Sequence, residues 1–221
     1  MRSTRRTFLT QSAGAALITS TSAFAADPPA QREGGDLLSR MTWLNAPASE
    51  YYDAGTLTAR SKGKTDFWRK TFYGYITDNG HFLYLEQKGE FTFQARVNGN
   101  YSQLYDQAGL MVRLDEKNWM KCGSEVFDGK RWASVVFTRD FSDWSTMEDL
   151  SQTGPVYWRV VRKKDSLEAQ CSKDGEKFMT IRQGYFPANV PVKVGVMCAA
   201  PEGQGFDAVF DQLMLERTAP G

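Results

Sequence analysis

Trp119-Met120-Lys121-Cys122-Gly123-Ser124-Glu125-Val126-Phe127, then Asp128-Gly129, then Lys130-Arg131-Trp132-Ala133-Ser134-Val135-Val136-Phe137-Thr138-Arg139 is the stretch on which the fold turns. Asp-Gly tolerates the positive φ angles of a two-residue hairpin turn, and the flanking runs are rich in aromatic and β-branched residues. If Phe127 opposes Lys130, the register follows. Met120/Phe137, Cys122/Val135 and Ser124/Ala133 share one small, apolar face, which belongs in a core. Trp119/Thr138, Lys121/Val136, Gly123/Ser134 and Glu125/Trp132 share the other. Two tryptophans, a lysine and a carboxylate on one sheet face make a mixture suited to a ligand surface.

The same period of two runs through the chain. Residues 81–87 and 90–97 flank Lys88-Gly89, and 109–114 is another strand, with the direction of Arg113 left open. Residues 157–162 and 167–171 flank a four-residue turn, which puts Trp158, Val160, Ala169 and Cys171 inward and Arg159, Glu168 and Gln170 outward. A second Asp-Gly, Asp174-Gly175, predicts Cys171 opposite Phe178 in the core. Strands at 192–198 and 206–215 follow. Many strands with turn signals at short spacing, and no long amphipathic helix, predict an all-β antiparallel sandwich or jelly roll.

At the N-terminus, Arg5-Arg6 precede Phe8-Leu9, a short weakly apolar run and the small-x-small Ala23-Phe24-Ala25. That order matches a bacterial twin-arginine export signal over residues 1–25, and predicts a periplasmic or secreted protein. The apolar run is too short to span a bilayer, so no stable membrane insertion is expected. Residues 26–40 read as a linker, 41–215 as the domain and 216–221 as a frayed tail.

Loss of Arg2, Arg5 and Arg6 with the leader takes the formal charge from +1 to about −2. No basic excess remains to neutralise phosphates, which argues against nucleic acid. Cys122, Cys171 and Cys198 fit neither a zinc knuckle nor a redox pair; buried inert thiols are the expected reading, with one bridge left open. A single histidine, His81, excludes sites that need two. No glycine-rich phosphate loop and no dense acidic loop is present, so neither cofactor nor metal is expected.

Several segments resemble a known family. Asp66-Phe67-Trp68-Arg69, Asn79-Gly80-His81-Phe82, residues 105–113 (Tyr-Asp-Gln-Ala-Gly-Leu-Met-Val-Arg), Asn118-Trp119-Met120-Lys121, Phe141-Ser142-Asp143-Trp144-Ser145 and the Ser172-x-Asp174-Gly175 turn carry the likeness. They are similar to a family of unknown function in the concanavalin A-like lectin/glucanase superfamily, some of whose members bear the label "regulation of enolase". The resemblance runs from about 44 to 215. It implies a two-sheet antiparallel jelly roll, and by itself implies no reaction.

Glycoside hydrolysis needs two carboxyl groups about 5–5.5 Å apart for retention or about 6.5–9.5 Å for inversion. The Glu-x-Asp-x-x-Glu string of jelly-roll glucanases is missing. Glu125 is the one acid on its hairpin face and a weak catalytic candidate, with Lys121 or Arg139 as helpers. Asp207 and Asp211 read as edge-strand charges. A lyase would need a base such as His81 or Lys121 beside a neutraliser, and no spacing joins them. Carbohydrate binding is better supported: ring planes cover sugar C–H faces while charged groups bond hydroxyls. The expected binding set is Trp119, Lys121, Glu125, Trp132, Arg139, Asp143, Trp144 and His81, though a structural role for His81 is the stronger expectation. Trp68, Arg69 and Tyr73 form a second polar-aromatic cluster, read as core packing with the arginine head in water. A protein-interaction module is the remaining alternative; export argues against cytoplasmic enolase as its partner.

Overall fold

The structure, a computed structural model, describes residues 31–33 and 37–217. Among these are seventeen strands: β1 (Gln31–Glu33), β2 (Thr42–Leu44), β3 (Ser49–Asp53), β4 (Thr56–Arg60), β5 (Phe67–Arg69), β6 (Ile76–Asp78), β7 (His81–Gln87), β8 (Phe91–Gly99), β9 (Gln107–Arg113), β10 (Asn118–Phe127), β11 (Lys130–Arg139), β12 (Phe141–Glu148), β13 (Val156–Lys163), β14 (Ser166–Ser172), β15 (Met179–Tyr185), β16 (Val192–Ala199) and β17 (Asp207–Arg217). The first sheet runs β15-β14-β13-β8-β17-β4-β3 with β1 on β17; the second runs β12-β11-β10-β9-β16-β7-β2. All named pairings are antiparallel. Neither sheet contains a helix, and no helix among the described residues is long and apolar enough to cross a membrane.

Alternation builds the core. Phe91, Phe93, Trp158, Val160, Leu167 and Phe210 from the first sheet meet Leu83, Leu110, Val112, Met120, Val135 and Val196 from the second. The register expected around Asp128-Gly129 is the one observed, from Phe127↔Lys130 through Met120↔Phe137, with positive φ at both turn residues. The 157–171 hairpin also pairs as expected, with Trp158 opposite Cys171 and both buried.

At Asp174-Gly175 the expected two-residue turn does not form. Asp174 Oδ1 accepts the N–H groups of Glu176 and Lys177 (2.8 and 2.9 Å), and Ser172 Oγ accepts that of Gly175 (3.0 Å). These side-chain bonds hold a longer loop open, in place of the tight turn. Cys171 therefore faces Met179, and Phe178 leaves the core to lie under the Arg159 guanidinium, 3.4 Å from ring centre to carbon. Asp207 and Asp211 are also corrected: β17 is an interior strand, and Asp211 takes a two-pronged bond from Arg96 (2.7 and 2.6 Å).

The domain is longer at both ends than expected. Gln31–Glu33 adds a strand to β17, and the 3₁₀ turn Leu37–Arg40 buries Leu37 and Leu38 against the core, so part of the expected linker is built in. At the other end β17 continues to Arg217, whose guanidinium donates to Gln87 Oε1 at 2.8 Å. The export signal expected at 1–25 and residues 218–221 lie outside the described residues. All three cysteines are buried free thiols. Burial raises each thiol pKa, to about 11 at Cys171 and about 12 at Cys198.

Two elements shape the outer face of the second sheet. Gly109 and Gly123 face each other across β9 and β10; a Cβ at Gly109 would stand 2.0 Å from the Cys122 carbonyl oxygen, so only glycine fits. Over this face lies the segment from Ser61 to Gly80, whose centre is the β5–β6 hairpin. Phe67 packs edge-on to Trp119, and together with Trp68, Phe82, Met111, Val136, Met197 and Ala199 they form a second apolar cluster. Arg113, now fixed on this outer face, clamps Asp78 of β6 with two bonds of 2.6 and 2.7 Å. Arg69 N–H donates to Ser142 Oγ at 2.9 Å, and the Arg69 side chain reaches Asp140 at 2.8 Å. The face expected to be an open hollow is thus largely roofed by its own chain.

Candidate functional site

A gap remains under that roof. Its floor is Lys121 and Glu125 of β10 with Val136 of β11. Its walls are Trp68, Tyr73 and Tyr75 from the β5–β6 hairpin, Tyr105 from the loop before β9, Trp144 from β12, and Asp66. The gap is narrow: its interior is about 30 Å³, and the wider 340 Å³ of empty space around it includes open solvent.

Strand alternation explains the floor: Lys121, Gly123 and Glu125 occupy every second position on the outer face, and the bare Gly123 leaves room between the two charges. Lys121 is buried, and its ammonium donates to Gln107 Oε1 (2.6 Å), Phe67 O (2.8 Å) and Asp66 Oδ1 (3.2 Å). Those three bonds use all its hydrogens. Asp66 Oδ1 also accepts the Phe67 N–H at 2.7 Å. The Gln107 amide nitrogen, with two hydrogens, stands 3.3 Å from Asp66 Oδ1, 3.2 Å from Tyr105 O and 3.4 Å from Glu125 Oε1.

Glu125 is 6 % exposed, and its Oε2 has no hydrogen-bond partner among the described residues. Burial raises its pKa and the Asp66 charge adds to the rise; the Lys121 charge and the nearby Ser134 and Trp144 side chains oppose it in part. Sharing Gln107 brings the nearest oxygens of Glu125 and Asp66 to within about 7 Å, so a second acid does stand near Glu125.

The walls form a linked set. Trp68 meets Tyr73 edge-on with centroids 5.7 Å apart, and Tyr75 stacks on Tyr73 at 5.4 Å. The hydroxyls of Tyr73 and Tyr105 share a 2.9 Å bond across the mouth, and this bond leads the causes that raise the Tyr105 pKa. Tyr105 meets Trp144 at 6.5 Å, nearly perpendicular. Each indole is anchored, Trp68 Nε1 to Thr71 O and Trp144 Nε1 to Ser134 Oγ, both at 2.9 Å.

Of the eight residues expected from sequence, Lys121, Glu125 and Trp144 line this pocket. Trp119 is on the expected face but 1 % exposed beneath Phe67, and Trp132 donates its indole N–H to Phe127 O (2.7 Å) outside the pocket. Arg139 and Asp143 are on the wrong side. Arg139 is two residues from core-facing Phe137, and Asp143 pairs with Phe137 directly, so both point toward the first sheet. Arg139 donates to Tyr185 O at 2.7 Å and Asp143 pairs with Arg182 at 2.8 Å, both across the open edge of the sandwich. His81 is structural: Nδ1–H donates to Asn45 O (2.7 Å) and Nε2 accepts the Lys62 N–H (2.9 Å), which fixes the neutral ring, while burial lowers its pKa.

The alternation rule could not find Asp66, Tyr73, Tyr75, Tyr105 or Gln107, because they reach the pocket from loops, a hairpin crossing the sheet, or another strand. Trp68, expected to be core packing, is both buried and a wall of the pocket.

The chain is 43 % identical over 183 residues to "Regulation of enolase protein 1" of Saccharomyces cerevisiae, covering 83 % of this chain and 91 % of that protein. A crystal structure of a functionally unknown protein from Saccharomyces cerevisiae superposes with a TM-score of 0.79 at 42 % identity, over 83 % of this chain and 99 % of that one. The carbohydrate-binding module CBM66 from Bacillus subtilis shares the fold alone, with a TM-score of 0.53 at 11 % identity, over 80 % of this chain and 97 % of the module. Residues 43–218 match the model of the protein family of unknown function DUF1349, and the chain belongs to that family.

Proposed function

We propose that this protein is an exported carbohydrate-binding module whose combining site is the pocket above Lys121 and Glu125. The observation that carries the reading is the pairing of five aromatic side chains with three buried charged groups in one pocket on a sheet face. Rings suit the apolar faces of a sugar, and carboxylate and amide groups suit its hydroxyls. The fold shared with CBM66, and the export signal expected from Arg5-Arg6 and the run that follows, are the support for a role on polysaccharide outside the cytoplasm. A glycan array, followed by calorimetry on any hit, tests it. Trp68→Ala and Tyr73→Ala should abolish binding, while Trp132→Ala, outside the pocket, should leave it intact. A blank array, or binding indifferent to Trp68 and Tyr73, overturns the reading.

The nearness of Asp66 to Glu125 favours one second reading, a carbohydrate-active enzyme with Glu125 as proton donor. Against it, Asp66 Oδ1 is held by Lys121 and by the Phe67 N–H, and so is poorly placed to act as a nucleophile. Release of reducing ends or unsaturated products, lost in Glu125→Gln, would establish catalysis.

A further inference from the structure

We propose that the pocket selects sugars carrying a free, protonated amino group, which Glu125 Oε2 receives on the pocket floor. The inference rests on the carbohydrate reading above and names the class of sugar.

Glu125 lacks a cation of its own. Lys121 is the only basic residue lining the pocket, and its three hydrogens are spent on Gln107, Phe67 and Asp66. Three other cations near the pocket are engaged. Arg69 and Lys70 hold Asp140, and Arg113 holds Asp78. Gln107 divides two hydrogens among three acceptors, so Glu125 Oε1 receives a shared bond of 3.4 Å. The Ser134 hydroxyl and Trp144 indole stand near the carboxylate but are bonded to each other at 2.9 Å, and no group of the described residues reaches Oε2 with hydrogen-bond geometry. A carboxyl oxygen buried on a pocket floor without a donor is a polar group left for something else to satisfy.

A ligand hydroxyl or a ligand ammonium would each supply a donor. Two features favour the ammonium. The pocket holds two acids against one base, so a cation evens its charge where a neutral hydroxyl does not. The walls are also a linked aromatic set, with Trp68 against Tyr73, Tyr73 bonded to Tyr105 and Tyr105 against Trp144. Ring faces around a desolvated site attract cations. An N-acetyl group would remove the charge and add bulk in a narrow space.

Short β-linked oligosaccharides of glucosamine and galactosamine, their N-acetylated forms, and the corresponding neutral glucose and galactose oligomers make the test. Titration is read by calorimetry at a pH that keeps the amine protonated. The expected result is at least tenfold tighter binding of an amine-bearing oligomer than of its acetylated and neutral partners, with that preference lost in Glu125→Gln. The wild-type comparison stands alone if the variant fails to fold. Equal binding of acetylated or neutral oligomers overturns the inference and leaves the carbohydrate reading in place. An amine preference that survives in folded Glu125→Gln overturns the assignment to Glu125. No binding of any oligomer here or on the glycan array overturns both.

Discussion

Replacing Lys121 by methionine keeps most of the side-chain stem and removes the ammonium with its charge and three bonds. The Phe67 carbonyl, Gln107 Oε1 and Asp66 Oδ1 would each lose a donor, and Asp66 and Glu125 would share a pocket with no cation between them. Breaking a buried ion pair from one side costs about 3–5 kcal/mol. The Lys121 side chain is 6 % exposed and that of Asp66 13 %, so a little water reaches the acid and the lower end, about 3 kcal/mol, is the better figure. For a domain of this size each kcal/mol moves Tm by about 2–4 °C, which gives a fall of roughly 6–12 °C. Differential scanning calorimetry with urea titration measures it, with exposed Lys173→Met as a control within about 0.5 kcal/mol of wild type. Without the Lys121 charge the Glu125 carboxyl, already raised by burial, holds its proton more tightly still, so the deficit should widen as the pH rises above the unfolded value of about 4.3. A loss below about 1 kcal/mol, independent of pH, would mean that Lys121 does not hold the roof segment to the sheet.

Glu125→Gln should flatten the pH profile of stability. The folded pKa of Glu125 is raised, so its contribution is full below the unfolded value, about 4.3, and declines as pH rises through the folded one; the amide removes that decline, and parallel wild-type and variant Tm curves would refute the assignment. His81 works in the opposite direction: with its folded pKa lowered, stability falls as pH drops below the unfolded value of about 6.5, and His81→Gln should lessen that slope in thermal melts. Gly109→Ala should cost about 1–3 kcal/mol or more by chemical denaturation, because its Cβ would meet the Cys122 carbonyl at 2.0 Å; a neutral substitution would contradict the close approach of β9 and β10. A thiol reagent should find no reactive cysteine in the native protein and three after unfolding, whereas rapid native labelling would contradict the burial of Cys122, Cys171 and Cys198.

The fold was largely legible because its information is local. Asp128-Gly129 sets one register, and alternation then assigns every residue of β10 and β11 to a face. The same rule correctly oriented Trp158 and Cys171. It failed after Ser172, where side-chain bonds to the backbone hold a longer loop in place of a tight turn. Arg139 and Asp143 were a different kind of error. Parity with Phe137 places Arg139 toward the first sheet, and grouping it with Lys121 by composition overrode that evidence; the orientation of Asp143 follows from the β11–β12 pairing, for which no register was read from sequence. The roof was out of reach of any local rule. Ser61 to Gly80 crosses a face built from β7, β9, β10, β11, β12 and β16, held by long-range contacts such as Arg113–Asp78 and Lys121–Phe67 O. Four of the nine residues lining the pocket come from that crossing. Sequence could therefore find Lys121, Glu125 and Trp144, and had no means of setting Asp66, Tyr73 and Tyr105 beside them.

The indole N–H resonances of Trp68 and Trp144 report whether a glycan occupies the pocket. Trp68 and Trp144 wall the pocket, while Trp119 and Trp158 are sealed in the two apolar clusters. In a ¹⁵N–¹H spectrum titrated with the glycan that an array selects, the account predicts saturable shifts of the Trp68 and Trp144 signals, with Trp119 and Trp158 unmoved. Saturable binding that leaves Trp68 and Trp144 unshifted would place the ligand elsewhere and contradict it.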